Sequence, residues 1–192
     1  MRYGHRRLFE DLSFEVNVGE PLAILGANGS GKSTLLRILS GVLEPTAGEA
    51  RIETTSSTAT GIELTTQVGF VAPALQMYDA FSARENLDFL ARARRLRDGS
   101  AALERVLDRV GLADRADDLV ATYSTGMRQR LRLAGALLHN PPVLLLDEPG
   151  ATLDGPGRAL VSKIFALTDR ILVVATNDPA EAERCPRRVT LM

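Results

Sequence analysis

The sequence predicts an α/β fold in which a mainly parallel sheet is flanked by helices. Short apolar segments alternate with helical patterns along most of the chain, and this order favours parallel strands joined by helices. Near the N-terminus, segment 12–18 instead alternates apolar and polar residues, which is typical of a half-buried strand. We therefore expect an antiparallel β part at the N-terminus, beside the parallel core.

The composition fits one globular domain. The chain has 192 residues, of which 45% are hydrophobic and 24% charged, and a chain of this kind can bury a substantial core. Helical patterns between 74 and 140 interrupt the alternation of strands and helices. We expect residues 1–73 and 141–192 to form the core and 74–140 to form an inserted α-helical subdomain.

Charge, cysteine content and hydropathy exclude several classes of protein. The net charge of −1 disfavours nucleic-acid binding, which usually requires a basic surface. The single cysteine, Cys185, cannot form an internal disulfide, as expected in a reducing compartment. No apolar segment approaches the roughly 20 residues of a membrane-spanning helix, and no signal-peptide pattern follows the basic start. We expect a cytosolic chain that reaches a membrane only through a partner.

Each element has its own local pattern. Apolar runs bounded by turn residues predict further strands at 22–25, about 49–53, 68–72, 143–147, 171–175 and 188–191. Helical periodicity predicts helices at about 32–41, 82–97, 100–111, 125–139, 156–167 and 179–184. Ser82 and Glu85 form a capping box, and Ser100 is expected to cap the third helix. Pro141 and Pro142 end the fourth helix, because proline cannot continue it.

The segment after the strand at 22–25 carries the most specific chemical pattern. It matches G-x-x-x-x-G-K-[ST] at every fixed position, in the strand–loop–helix context of a phosphate-binding loop. Its glycines let consecutive backbone N–H groups turn around a phosphate at the positive end of a helix dipole. Lys32 can reach β- and γ-phosphates, and the Ser33 hydroxyl can ligate Mg²⁺. The alternative is a chance match in a glycine-rich turn. The predicted contact residues are Gly26, Ala27, Asn28, Gly29, Ser30, Gly31, Lys32, Ser33 and Thr34.

Two carboxylates, Asp147 and Glu148, follow in sequence at the end of the strand at 143–147. Parallel α/β folds bind ligands at the carboxyl ends of their strands, so Asp147 is predicted to hold the same Mg²⁺ through water. Glu148 faces the other way, since successive strand residues alternate, and it can polarise a water that attacks the γ-phosphate. The alternative is a pair of solvated acids at a strand end.

With these motifs in order, the chain resembles the nucleotide-binding subunit of an ATP-binding-cassette (ABC) transporter along nearly its whole length. The family signature, usually written LSGGQ, is similar to Tyr123-Ser124-Thr125-Gly126-Met127, although only the serine and the second glycine are kept. The resemblance implies that Ser124 and Gly126 contact the γ-phosphate of an ATP held by a second subunit. The alternative is a capped helix start followed by an exposed arginine stripe.

The resemblance also implies cofactors, partners and two further site residues. ATP and Mg²⁺ are expected, with a homodimer or a pseudo-dimer with a second ATPase subunit, an integral-membrane transporter subunit and no nucleic acid. The chain would lie on the cytoplasmic face of the membrane. Tyr3 is expected to stack on adenine, although an aromatic residue this near a terminus also fits a partly exposed ring. Asp154 falls in the loop that links the two sites, although it also fits a helix N-cap.

Two positions depart from the family pattern. Pro73 occupies the place of the glutamine that senses Mg²⁺ and the attacking water, and Gln76, three residues further on, is the alternative if the loop is shifted. Asn177 occupies the place of the switch histidine. An asparagine can donate a hydrogen bond to a phosphate oxygen but cannot carry a positive charge. We therefore expect Lys32, Glu148 and Asn177 to act in hydrolysis, at a reduced rate.

The resemblance implies an ATP-hydrolysing subunit that drives transport through nucleotide-dependent dimer closure. The alternatives are an ATP-gated dimerising module with little or no hydrolysis, a soluble non-transport ABC ATPase, and a small-molecule or nucleotide kinase. The signature and the Asp-Glu strand end disfavour a kinase. The predicted contact with the membrane subunit is a surface near Tyr78, Asp79 and Phe81, although the two aromatic residues fit the core equally well.

Overall fold

The structure, a computed structural model, describes residues 1–3, 6–53 and 57–191, with the side chains of Tyr3 and Arg6 outside the description. The strands among these residues are β1 (Arg2–Tyr3), β2 (Arg6–Arg7), β3 (Leu22–Leu25), β4 (Arg51–Glu53), β5 (Thr58–Thr60), β6 (Val68–Val71), β7 (Val143–Asp147), β8 (Ile171–Ala175) and β9 (Arg187–Thr190). The α-helices are α1 (Lys32–Leu39), α2 (Leu64–Gln67), α3 (Ala83–Ala93), α4 (Gly99–Arg109), α5 (Thr125–Leu137), α6 (Gly155–Phe165) and α7 (Pro179–Glu183).

The central sheet confirms the predicted fold class. Its strand order is β6-β7-β8-β3-β9, and all neighbours are parallel. Leu22 pairs with Val173, and Asp147 pairs with Ala175, so β3, β7 and β8 end at one edge of the sheet. Two small antiparallel pairs, β1–β2 and β4–β5, lie outside this sheet.

The core forms two layers, because successive strand residues face opposite sides. On one side, Leu144, Leu146 and Val174 belong to a cluster that includes apolar residues of α3, α4, α5 and α6. On the other side, Leu145 and Val173 belong to a cluster with residues of α1. No helix in the described ranges combines the length and apolar character that crossing a bilayer requires.

The prediction of a strand at 12–18 is wrong. Leu12, Phe14 and Val16 pack half-buried against the α1 side of the core, as the alternation indicates. Among the described residues, however, no neighbouring strand pairs with this segment. Alternation therefore identified the buried side chains but not a hydrogen-bonded ladder.

The capping predictions are confirmed at α3 and corrected at α4. Ser82 and Glu85 form a reciprocal capping box. Helix α3 ends at Ala93, because Arg95 adopts a left-handed φ of 54°. Helix α4 begins at Gly99, with the Ala102 N–H donating to the Asp98 carbonyl at 3.0 Å. Ser100 therefore lies inside the first turn and is not the cap.

Candidate functional site

The predicted phosphate loop lies between β3 and α1, at the carboxyl edge of the sheet. Gly26, Gly29 and Gly31 have φ values of 150°, 80° and 104°, in the region that side chains rarely adopt. A Cβ at Gly26 would lie 2.5 Å from Ser30 Oγ and 2.7 Å from the Leu191 carbonyl oxygen. The loop geometry thus requires glycine there. Within the described part of the chain, no side chain caps α1, so the helix presents its dipole to this loop.

Lys32, the first residue of α1, is almost completely buried. Its Nζ donates to the Gly26 carbonyl at 2.7 Å and to the Ala27 carbonyl at 3.4 Å. It also donates to Asn177 Oδ1 at 3.0 Å. The ammonium group is therefore held inside the loop by two carbonyl oxygens and one side-chain amide oxygen.

Asp147 and Glu148 occupy the end of the adjacent strand, and their environments differ. Asp147 is only 3% exposed. Burial raises the pKa of its carboxyl, and the hydrogen bond from Ser33 and the charge of Lys32 oppose this rise. Glu148 has a φ of 49°, and its N–H donates to the Ala175 carbonyl at 2.8 Å. The turn separates the two carboxylates, with Asp147 directed to Ser33 and Glu148 to the loop after β8.

Asn177, in the loop after β8, joins these groups. Its Nδ2 donates to Asn28 Oδ1 at 2.8 Å, while its backbone N–H donates to Glu148 Oε2 at 3.4 Å. Together with the bond from Lys32, these contacts bring the phosphate loop, Glu148 and Asn177 into one cluster. The residues come from three separate parts of the sequence.

A cleft of about 260 Å³ opens beside this cluster. Phosphate-loop residues, both carboxylates and Pro73 line it. Gln76 is exposed and is not among the lining residues described, which gives no support to its suggested role as a Mg²⁺ ligand. The residues that line the cleft are Leu8, Asn28, Gly29, Gly31, Lys32, Ser33, Thr34, Pro73, Asp147 and Glu148.

The signature segment lies at the start of α5, apart from the residues that line the cleft. Ser124 is the N-cap and accepts from the Met127 N–H at 3.2 Å. The alternative interpretation, an exposed arginine stripe, is wrong for Arg130, which is 7% exposed. Its Nη1 donates to the Val110 and Gly111 carbonyls, both at 2.8 Å. A buried guanidinium thus ties α5 to the end of α4.

Asp154 connects the signature segment to α6. It caps α6 by accepting from the Gly157 N–H at 2.8 Å, as one of the two interpretations of the sequence proposed. It also pairs with Arg130 Nη2 at 3.2 Å. A Cβ at Gly126 would lie 2.8 Å from Asp154 Cγ, so a side chain at 126 would force this carboxylate to move.

Two residues, Tyr3 and Glu181, stand differently from the other site residues. Tyr3 belongs to β1, where its backbone pairs with Arg6, but its side chain lies outside the described part of the structure, so adenine stacking stays a prediction. Glu181, which the sequence analysis did not single out, is a buried carboxylate behind the site. Its helix is short and rich in acidic residues, which in sequence is typical of an exposed segment.

Comparison with known proteins gives a consistent result. A family model described as "ABC transporter" matches residues 9–151. The lipoprotein-releasing system ATP-binding protein LolD 2 of Rhodospirillum rubrum is 38% identical over 200 residues, covering 97% of this chain and 86% of the relative. YhcH of Bacillus subtilis, an uncharacterized ABC transporter ATP-binding protein, is 39% identical over 146 residues, covering 75% of this chain. The chain matches about half the length of that relative, 47%.

The fold is also similar to solved structures. The ATP-binding cassette MJ0796, in a dimeric post-hydrolysis state bound to ADP and Pi, superposes with a TM-score of 0.85 at 26% identity. The superposition covers 100% of this chain and 90% of that one.

Proposed function

Because this chain belongs to the ABC transporter family, we propose that it is the ATP-binding and ATP-hydrolysing subunit of an ABC-type membrane transporter. Nucleotide-dependent closure of a dimer would drive transport. The observation that carries the proposal is that residues of the 26–34 loop line one cleft with Asp147 and Glu148. Asn177 is hydrogen-bonded to Lys32 and Glu148 beside this cleft. ATP-hydrolysing sites require these kinds of groups together.

The phosphate loop would bind the nucleotide. Backbone N–H groups of Gly26 to Thr34 would surround the phosphates, and Lys32 would exchange the neutral oxygen of Asn177 for an ionised phosphate oxygen. This exchange is favourable because hydrogen bonds to ionised acceptors are about twice as strong as neutral ones. Tyr3 would stack on the adenine.

The residues beside Lys32 suit Mg²⁺, which prefers oxygen ligands and keeps part of its water shell. The Ser33 hydroxyl contacts the Asp147 carboxylate, so a hydroxyl and a buried carboxylate oxygen are already adjacent at the cleft. Ser33 would ligate the ion directly and Asp147 through water. Bound Mg²⁺ supplies charge neutralisation on the β- and γ-phosphate oxygens.

Glu148 would orient and polarise the attacking water. The positive φ of Glu148 turns its carboxylate away from Asp147 and toward the loop of Asn177. Asn177 would donate a hydrogen bond from Nδ2 to a γ-phosphate oxygen. Because phosphoryl transfer depends mostly on positioning and charge, a neutral donor there slows hydrolysis without removing it.

The partners follow from two surfaces. Ser124 and Gly126 at the start of α5 would clamp an ATP held by a second subunit, with Asp154 beside them. A second surface contains Tyr78, Phe81 and Phe89, which are 57%, 42% and 49% exposed. The ring centroid of Tyr78 lies 5.4 Å from that of Phe81 and 5.8 Å from that of Phe89. Exposed apolar clusters of this kind commonly bind other proteins. This cluster, with Asp79, would contact the membrane subunit from the cytoplasmic side.

The helical segment 74–140 would act as a separate subdomain that carries both surfaces, with 1–73 and 141–192 as the nucleotide-binding core. Buried apolar residues of helices α3, α4 and α5 pack in the same cluster as residues of the sheet. Movement of this subdomain would therefore be transmitted to the core through a packed interface.

A second candidate is an ATP-gated dimerising module with little hydrolysis. Pro73 lines the cleft, where the family places a glutamine, and proline has no side-chain amide to contact water or Mg²⁺. Asn177 cannot carry the charge of the family's histidine.

Glu148→Gln separates the two candidates, because it removes the carboxylate and keeps the shape. An ATPase would lose at least about 100-fold in kcat and would accumulate an ATP-bound dimer, measured by phosphate release and size-exclusion light scattering. A pure binding module would show the same dimerisation with either residue. Glu44→Gln, at an exposed position in the loop after α1, is the matched control. A parent protein that binds no ATP would overturn the proposal.

A further inference from the structure

Glu181, on α7, is a buried carboxylate that the proposed chemistry does not use. It is 8% exposed. Burial raises the pKa of this carboxyl, and the hydrogen bond from Thr176 opposes the rise. A buried carboxylate is costly unless hydrogen bonds compensate it. Its partners therefore indicate why it is there.

The two partners of Glu181 come from two different loops. The Thr176 hydroxyl donates to Oε2, and Thr176 itself is completely buried. The Gly150 backbone lies against the same carboxylate and favours its charged form. A Cβ at Gly150 would lie 2.3 Å from Oε1, so the carboxylate occupies the space that any side chain at 150 would need. One side chain thus binds the loop after β8 to the loop after β7.

Each loop leads to a different part of the site. Thr176 directly precedes Asn177, which contacts Lys32 and Asn28. Gly150 follows Glu148 by two positions, and its loop continues to Asp154, which contacts Arg130 and lies against Gly126. The first loop faces the chain's own phosphate site, and the second reaches the signature segment.

We infer that Glu181 is a positioning residue that couples the Asn177 loop to the 148–154 loop. Through this coupling, ATP bound in the chain's own site controls how Ser124 and Gly126 contact the ATP held by the second subunit. This inference rests on the proposed function. It deepens that function, because it assigns to one side chain the link between the chain's own ATP site and the ATP site of the second subunit.

A carboxylate suits this position because one oxygen accepts from the Thr176 hydroxyl and the other lies against the Gly150 backbone. Glutamine would place an amide NH₂ against either the Thr176 hydroxyl or the Gly150 backbone, while alanine would remove both contacts. Thr176→Val keeps the side-chain shape and removes the donor to Glu181, together with the acceptor of the Asp178 N–H at 3.0 Å. These substitutions therefore weaken the link in graded steps.

The experiment compares Glu181→Ala, Glu181→Gln and Thr176→Val with the parent and with Glu183→Ala, an exposed glutamate on the same helix. The readouts are the ATP dependence of hydrolysis and nucleotide affinity at protein concentrations too low for dimerisation. For two coupled sites the Hill coefficient can approach about 2. We expect Glu181→Ala to bring it to about 1 and to lower kcat by about 10-fold, with monomer affinity unchanged. Glu181→Gln and Thr176→Val should fall between these limits.

Hill coefficients and kcat equal to the parent in all three variants would overturn this inference alone. If Glu181→Ala does not fold, Glu181→Gln and Thr176→Val decide the question in the same assay. Equal loss of monomer affinity and cooperativity would also overturn it, because a merely structural role predicts that result. A parent without nucleotide binding would overturn the proposed function as well.

Discussion

The ammonium group of Lys32 binds the side-chain amide of Asn177, with Nζ 3.0 Å from Oδ1, although 145 residues separate them in sequence. The other end of the same amide donates to Asn28 Oδ1 at 2.8 Å. Asn177 therefore spans the phosphate loop with both of its amide atoms satisfied. A γ-phosphate would displace its oxygen from Lys32 and receive a hydrogen bond from its nitrogen.

This arrangement predicts that Asn177→His raises hydrolysis. An imidazolium would add a positive charge next to the transferring phosphoryl group, and charge-assisted hydrogen bonds are about twice as strong as neutral ones. We expect kcat to rise about 10-fold, with ATP affinity little changed. Phosphate release under saturating ATP measures the effect, and Asn177→Ala, which should lower the rate, is the comparison. An unchanged kcat in Asn177→His would contradict the prediction, because it would show that a charged imidazole at this position does not accelerate hydrolysis.

Gly126→Ala tests the contact between the signature segment and Asp154. The added methyl group would lie 2.8 Å from Asp154 Cγ, so the carboxylate would have to move away from the Gly157 N–H that it caps. Loss of a helix cap and crowding together cost about 1–2 kcal/mol of unfolding free energy. Chemical denaturation measures this loss. Gly155→Ala is the control, since a Cβ there meets nothing within 4 Å; equal stability of the two variants would contradict the prediction.

His139 predicts a specific loss of stability in acid. Burial, together with the charge of Arg94, lowers its pKa to about 4 from 6.5. As the pH falls through this window, the unfolded chain binds the proton first, so stability present above pH 6.5 is lost toward pH 4. Solvent screening at this partly exposed residue reduces the expected loss to about 1–2 kcal/mol.

The measurement for His139 is a difference between proteins, because carboxylates also titrate in acid. Unfolding free energies of the parent and of His139→Gln, taken between pH 7 and about 4, should diverge as the pH falls, since glutamine has no proton to gain there. Parallel curves for the two proteins would show that His139 does not carry the effect.

Local patterns in the sequence were sufficient for most of the fold and for the phosphate loop. The strand–loop–helix around Lys32 and the apolar strand ending at Asp147 depend on neighbouring residues, so sequence periodicity and spacing identify them. The segment 12–18 shows the limit of this reasoning. Its alternation reports which side chains are buried, while a strand also needs a hydrogen-bonding neighbour that local sequence does not reveal.

Contacts between distant segments could not be predicted in the same way. The buried state of Arg130 depends on the carbonyls at the end of α4, and that of Glu181 depends on two loops that meet only after the sheet has formed. Both residues have charged side chains in helical segments, where exposure is the usual outcome. Their roles become visible only in three dimensions.

Asp147 pairs with Ala175 across β7 and β8, and this register sets where the residues after each strand begin. It aligns the ends of the two strands, with Glu148 one residue and Asn177 two residues beyond the last paired position. A single residue inserted within Ile171–Ala175 would reverse which side chains face each layer and would bring Thr176 to the place of Asn177. Natural variation in this protein should therefore be far better tolerated in the loops at the opposite edge than inside these two strands.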